Sequence, residues 1–251
     1  MALSDLGTTE QTPAASKPMT TRTRIQPRRQ AQAPDRATGI SASHLLVSSP
    51  ECPSAVVEAY HTLFTNVELA MGSANDRVLA IVGVDATANA ALVAANLALV
   101  AAESGDRTLL VDADMEAPAL DAIFGANPSP GLVQLLRGEQ GDLRDLAQPT
   151  TLPTLGVIAA GAAAGTRHHR LDRLGDLAPA VLRLKNAADR VVIVAAPALA
   201  APDAQRLAAH VDGMLLVIAP GRTSREDAAR ACALLERAQA PLLGAVIVPK
   251  A

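Results

Sequence analysis

Asp112 and Asp114 close an apolar run that reads LLVDAD. Two carboxylates two residues apart at the end of a strand can offer oxygen ligands to a hard cation such as magnesium. Alone they hold it weakly unless phosphates complete the shell. Asp112 also has a purely structural reading, in which its carboxylate accepts backbone N–H groups at the strand end. A second candidate is the turn after VLAIVGV, made of Asp85, Ala86, Thr87, Ala88, Asn89, Ala90 and Ala91, which runs into ALVAANLALVAA. A strand, a turn and a helix N-terminus in that order is where a phosphate loop forms. Such a loop needs glycines so that successive N–H groups can curl around phosphate, a lysine for the outer phosphates, and a hydroxyl for magnesium.

None of the three stands where that chemistry needs it. Ala90 holds the lysine position and Ala91 the hydroxyl position, Thr87 lies four residues too early, and no glycine occurs between Gly83 and Gly105. Asp85 adds a negative charge where a phosphate would sit. The bare helix N-terminus is worth only roughly 0.3–1 kcal/mol toward an exposed anion. Loss of one preorganised donor typically costs about 10²–10³ in rate. The expectation is negligible turnover, with no bound cofactor and no resident metal.

The remaining reactive side chains form no set. His168 and His169 lie between Arg167 and Arg170 with only Asp172 nearby, which reads as a solvated basic loop, with an anion contact as the other reading. Cys52 and Cys232 have no CxxC-type spacing and read as two reduced thiols. No Ser/His/Asp or Cys/His group has the context of a nucleophile.

The elements that must position these residues repeat as apolar run, turn, helix. Apolar runs at 78–84, 108–111, 155–159, 191–195, 213–218 and 243–248 alternate with helical stretches at 89–102, 171–186, 202–209 and 224–238. That order predicts a mostly parallel α/β sheet flanked by helices. An earlier helix is predicted from Pro53, with Val56, Tyr60, Leu63, Val67 and Met71 as one buried stripe.

Taken in order along the chain, EAYHTLFTNVEL, AANLALVAAESGDRTLLVDADMEAP, IFGANPSPGLVQLLRGE, VDGMLLVIAPGRTSREDA and LLGAVIV resemble the cytoplasmic domain of bacterial tyrosine kinases that govern capsule and exopolysaccharide synthesis. That family lies within the deviant-Walker ATPases, so the resemblance implies a P-loop NTPase-like three-layer sandwich from His44 onward. It aligns the family's GPGEGKS loop with Asp85 to Ala91. It also implies that Asp112 and Asp114 match carboxylates used near magnesium and the attacking hydroxyl. The family's third motif, IID-T-P-P, meets VVIVAAP, so Val194 replaces an aspartate and Pro197 survives. An E-x-x-R-x-x-R pattern used in ring assembly reads Glu58, His61 and Phe64, and the terminal tyrosine cluster is absent, since Tyr60 is the one tyrosine.

Composition bounds the alternatives. Of 251 residues 49% are hydrophobic and 1% aromatic, so the core is built from Ala, Val, Leu and Ile. A net charge of −3 and so few aromatics argue against nucleic acid as a partner. No apolar stretch spans a membrane, and the first residues lack a secretion signal, so a cytoplasmic protein is expected. Residues 1–45, with Arg22, Arg24, Arg28, Arg29 and Arg36, read as a mildly basic disordered tail that is a solvated linker or a weak contact with anionic lipid. Residues 46–251 read as a degenerate tyrosine-kinase-like domain. With the loop's chemistry missing, the expectation is a binding protein without catalysis, and the resemblance implies its partner: a membrane polysaccharide chain-length regulator or an active paralogous kinase. Two alternatives stay open: an enzyme that holds ATP and Mg²⁺ by an altered route through Asp112 and Asp114, and a sensor of another anionic ligand.

Overall fold

The computed structural model describes residues 46–72, 77–139, 141–161 and 176–248. The expected basic tail and the His168–His169 segment lie outside the described residues.

The chain runs α1 (Ser54–Met71), β1 (Val78–Gly83), α2 (Ala90–Glu103), β2 (Thr108–Ala113), α3 (Leu120–Phe124), α4 (Leu132–Leu136), α5 (Leu143–Leu146), β3 (Gln148–Pro149) and β4 (Leu155–Ile158). It continues with α6 (Leu177–Ala187), β5 (Arg190–Ala195), α7 (Asp203–Leu207), a 3₁₀ turn at Ala208–His210, β6 (Gly213–Ile218), α8 (Arg225–Arg237) and β7 (Leu242–Ile247). The strands form one sheet in the order β3-β4-β2-β5-β1-β6-β7, parallel throughout except for the β3–β4 pair. β1 and β2 are buried along their whole length. A strand covered on both faces has no reason to alternate polar with apolar, so VLAIVG and its counterparts read as continuous runs.

Two cores lie on the two faces of the sheet. Leu79, Ile81, Leu110, Val192 and Val194 pack toward α1 and α2. Ala80, Val82, Leu109, Val111 and Ile193 pack toward helices α4 to α8. The result is the expected three-layer sandwich. Helix α2 lies between the sheet and α1, and therefore reads apolar all round; its alanines are both strong helix formers and thin enough for close packing. Its one buried polar residue, Asn96, accepts a hydrogen bond from the Val47 N–H at 2.9 Å and bonds the Tyr60 hydroxyl.

Three details differ from expectation. Val56 is exposed at 37%, and Val57 packs against the core in its place. The two valines flank the centre of the α1 stripe on opposite sides, so spacing does not choose between them and packing against α2 does. Pro53 is the N-cap of α1, one residue before the first-turn position expected of it. The short α3, α4, α5 and β3 have too few residues to show a period. α4 is placed by close approach: a Cβ at Gly131 would lie 2.1 Å from the Ala159 carbonyl oxygen, while the Leu132 N–H donates to that oxygen at 2.8 Å.

Candidate functional site

Three neighbouring strands end side by side, β1 at Gly83, β5 at Ala195 and β2 at Ala113. Ligands of open α/β sheets sit beyond such carboxyl ends. Here a cleft of about 230 Å³ opens there. Its walls bring together Asp85, Ala86, Asn89, Ala90 and Ala91 from the first turn, Asp112 and Asp114 after β2, and Val194 with Pro197 after β5. Separated by more than 100 residues in the chain, the sequence-identified positions converge on one site. Thr87 and Ala88 belong to the same turn without lining the cleft. A larger cleft of about 430 Å³ lies at the opposite, amino-terminal ends of β2 and β4, beside Arg107, Arg144 and Pro153. It contains none of the residues singled out by their chemistry.

The first turn folds onto itself. The Ala88 N–H donates to the Asp85 carbonyl at 3.2 Å, and the Ala88 methyl is buried. Gly83 is required beneath it, since a Cβ there would stand 2.9 Å from the Asp85 carbonyl oxygen and 3.1 Å from the Ala88 Cβ. Asn89 holds a left-handed conformation, φ 51° and ψ 40°, at the place of the resembled loop's last glycine; asparagine is among the few residues that tolerate it.

The Asp85 carboxylate is engaged rather than aimed openly at the cleft. Its Oδ1 accepts from the Thr87 N–H at 2.8 Å and the Thr87 hydroxyl at 2.5 Å, and its Oδ2 accepts from the Thr223 hydroxyl at 3.0 Å. Partial burial works to raise its pKa, but the donors from Thr87 and Thr223 outweigh it and hold the carboxyl below its ordinary value.

Asp112 is 1% exposed. Its Oδ1 accepts from the Asp114 N–H at 3.1 Å, and its Oδ2 from the Ala119 and Leu120 N–H groups at 2.9 and 3.0 Å. The carboxylate thus ties the end of β2 to the start of α3, which is the structural role the sequence left open for it. Burial pushes its pKa up to about 6, against the lowering effect of the three amides and with a further push from Asp114. Asp114 in turn accepts from the N–H groups of Glu116 and Ala117 at 3.1 and 3.0 Å.

The charge inventory of the cleft is one-sided. Asp85, Asp112, Asp114 and Glu116 line it, and no Lys, Arg or His does among the described residues. Nor, among those residues, does any group of three or more His, Cys, Asp or Glu side chains stand in a metal-holding arrangement. Val194, 3% exposed, packs into the α2-side core beside Asp112.

Sequence reasoning missed Thr223, which reaches Asp85 from the loop after β6; Glu116, at the position where the resembled motif carries a basic residue, enlarges the acidic wall. A contact between residues 138 apart leaves no local signal. On α1, Glu58 and His61 are exposed. Phe64, at the second arginine position of the resembled assembly pattern, turns inward, and the Arg190 guanidinium stacks 5.9 Å from its ring while pairing with Glu68 at 2.7 Å.

No protein-family model matches the chain. Tyrosine-protein kinase YwqD of Bacillus subtilis is 30% identical over 204 residues, covering 80% of this chain and 84% of that protein. The chain belongs to the bacterial tyrosine-protein kinase family. The succinoglycan biosynthesis transport protein ExoP of Rhizobium meliloti is 32% identical over 183 residues, and the match takes in 72% of this chain but 23% of that longer protein. Several other curated family relatives are likewise matched over about a quarter of their length. Among solved structures, the kinase domain of the Escherichia coli tyrosine kinase ETK superposes with a TM-score of 0.73 at 26% identity, covering 86% of this chain and 84% of that one. The fold alone is shared with the septum site-determining protein MinD of Pyrococcus horikoshii, at a TM-score of 0.56 and 22% identity over 68% of this chain and 69% of that one. The P-loop NTPase-like architecture expected from the sequence is therefore the architecture of this family member. No helix among the described residues is long and apolar enough to cross a membrane.

Proposed function

We propose that this family member is a kinase-fold protein without phosphotransfer, acting as a regulatory binding partner in exopolysaccharide or capsule synthesis. One observation carries the reading: the cleft beyond β1, β2 and β5 is walled by four acidic side chains and, among the described residues, no cationic one. A magnesium triphosphate is itself anionic and needs a cation and a fan of free amides to receive it. This lining does not fit it. The two aspartates of the family motif also have oxygens engaged by backbone donors, which supports a framework role for them.

The binding role rests on relatedness. ExoP is a succinoglycan biosynthesis transport protein, and a preserved fold with an altered cleft suits docking onto such a membrane polysaccharide regulator, or onto an active paralogous kinase. In this proposal residues 46–251 are the docking domain, held at the inner face of the membrane, and the basic segment 1–45 adds a weak contact with anionic lipid. Phe64 and His61 in place of arginines favour one heterologous partner over a ring of like subunits.

Titration calorimetry with ATP and with ADP in magnesium tests the proposal. The expected result is no saturable heat in the micromolar range. Binding of about −8 kcal/mol, a micromolar Kd, would overturn it in favour of an altered nucleotide route. Saturable binding of inorganic phosphate or pyrophosphate alone would favour the sensor of another anion.

A further inference from the structure

We infer that Asp85 is an internal latch that holds the phosphate-loop segment closed by bonding it to the loop after β6, using amides a phosphate would otherwise claim. The inference rests on the proposal above, since it explains what the segment does once it no longer serves a nucleotide.

The geometry has three parts. First, the segment consumes its own donors: the Thr87 N–H goes to the Asp85 carboxylate and the Ala88 N–H to the Asp85 carbonyl. In a phosphate loop such amides point at the ligand. Second, the interior of the turn is filled, because the Ala88 methyl is buried over Gly83, where no Cβ fits. Third, the carboxylate reaches out of its own loop. Its Oδ2 takes the Thr223 hydroxyl at 3.0 Å, and the Thr223 Oγ1 in turn accepts the Ala219 N–H at 3.3 Å. A chain of donors thus runs from the end of β6 through Thr223 to Asp85 and back to Thr87. It ties together two loops that rim the same end of the sheet, beyond the central strands β1 and β6.

A hydrogen bond to an ionised acceptor is among the stronger ones, and the two ends of this network hold each other in place only if both are present. The latch therefore makes a coupled prediction: loosening either loop loosens the other.

Hydrogen exchange on the full chain, read by mass spectrometry, measures this. In Thr223→Val, which removes the hydroxyl but keeps the shape, the amides of residues 85–91 exchange about tenfold faster, the factor that roughly 1.4 kcal/mol produces. In Asp85→Ala, residues 219–224 exchange faster by a similar factor. Thr223→Ser, which restores a hydroxyl, returns residues 85–91 to the wild-type rate. Unchanged exchange at 85–91 in Thr223→Val overturns the latch, and so does failure of Thr223→Ser to restore the rate. ATP binding by the wild type would sink the proposed function while leaving the exchange coupling intact, so the two failures are told apart.

Discussion

Val194 and Asp112 are register partners on adjacent parallel strands, β5 and β2, with both side chains on the α2 face of the sheet. In the proposed reading Val194 takes the place of the family's third-motif aspartate, so a buried valine stands directly beside Asp112. Val194→Asp is expected to destabilise the protein by about 3 kcal/mol or more, because it buries a carboxyl beside the carboxyl of Asp112. Urea denaturation at pH 7 checks this, with the midpoint falling and the slope unchanged.

Restoring the loop alone should not restore chemistry. Asn89→Gly, Ala90→Lys and Ala91→Ser together return the glycine, the lysine and the hydroxyl, but leave Asp85 latched to Thr223 and Val194 without a carboxylate. The expected outcome is no phosphotransfer from labelled ATP above the no-enzyme control. Measurable transfer from the triple variant would show that the third-motif position matters less than the charge of the loop.

Asp112 gives a pH signature whose sign is fixed by its burial. Its folded pKa, about 6, lies above the ordinary 3.8, so the folded state binds the extra proton between those values. Stability from this group is full below about pH 4 and is lost as pH rises through about 6. A shift of this size corresponds to about 3 kcal/mol. Asp112→Asn keeps an oxygen for the Ala119 and Leu120 amides but cannot titrate. The wild type should therefore lose stability relative to Asp112→Asn between pH 4 and pH 7, measured as the difference in denaturation free energy at each pH. Parallel curves for the two proteins would refute the assignment.

Much of this was legible in the chain itself, and for a physical reason. Strands buried on both faces read as continuous apolar runs, so β6 was expected at 213–218 and lies there, and the edges of β1 and β5 shifted by a single residue. The cleft was legible because parallel strands deliver their following turns to one end of the sheet, which brings Asp85, Asp112 and Val194 together whatever their separation in sequence. What stayed hidden depended on distant partners. Nothing around Thr223 announces a bond to Asp85, and nothing in LLVDAD says that the Asp112 oxygens are claimed by amides seven and eight residues on. Spacing also could not decide between Val56 and Val57, because a stripe's edge is set by the surface that covers it.

The one tyrosine is tied to a buried amide, and that fixes a last expectation. Tyr60 is half-buried on α1, its hydroxyl bonded to Asn96 and its pKa raised chiefly by burial. Asn96, 1% exposed in the middle of α2, also receives the Val47 N–H, so a single amide joins the segment before α1, α1 itself and α2. Tyr60→Phe should cost about 1 kcal/mol, the usual worth of one hydrogen bond. Asn96→Ala should cost more, about 2–3 kcal/mol, because it strands both the tyrosine hydroxyl and the Val47 amide. Chemical denaturation of the two variants gives the ranking. The same burial predicts that an active kinase of the family leaves Tyr60 unmodified in the folded wild type, while Asn96→Ala, with the hydroxyl released, becomes a substrate. Tyr60 phosphorylated at equal rates in both proteins, as read by mass spectrometry, would mean that α1 swings away from α2 readily and that Asn96 is no anchor.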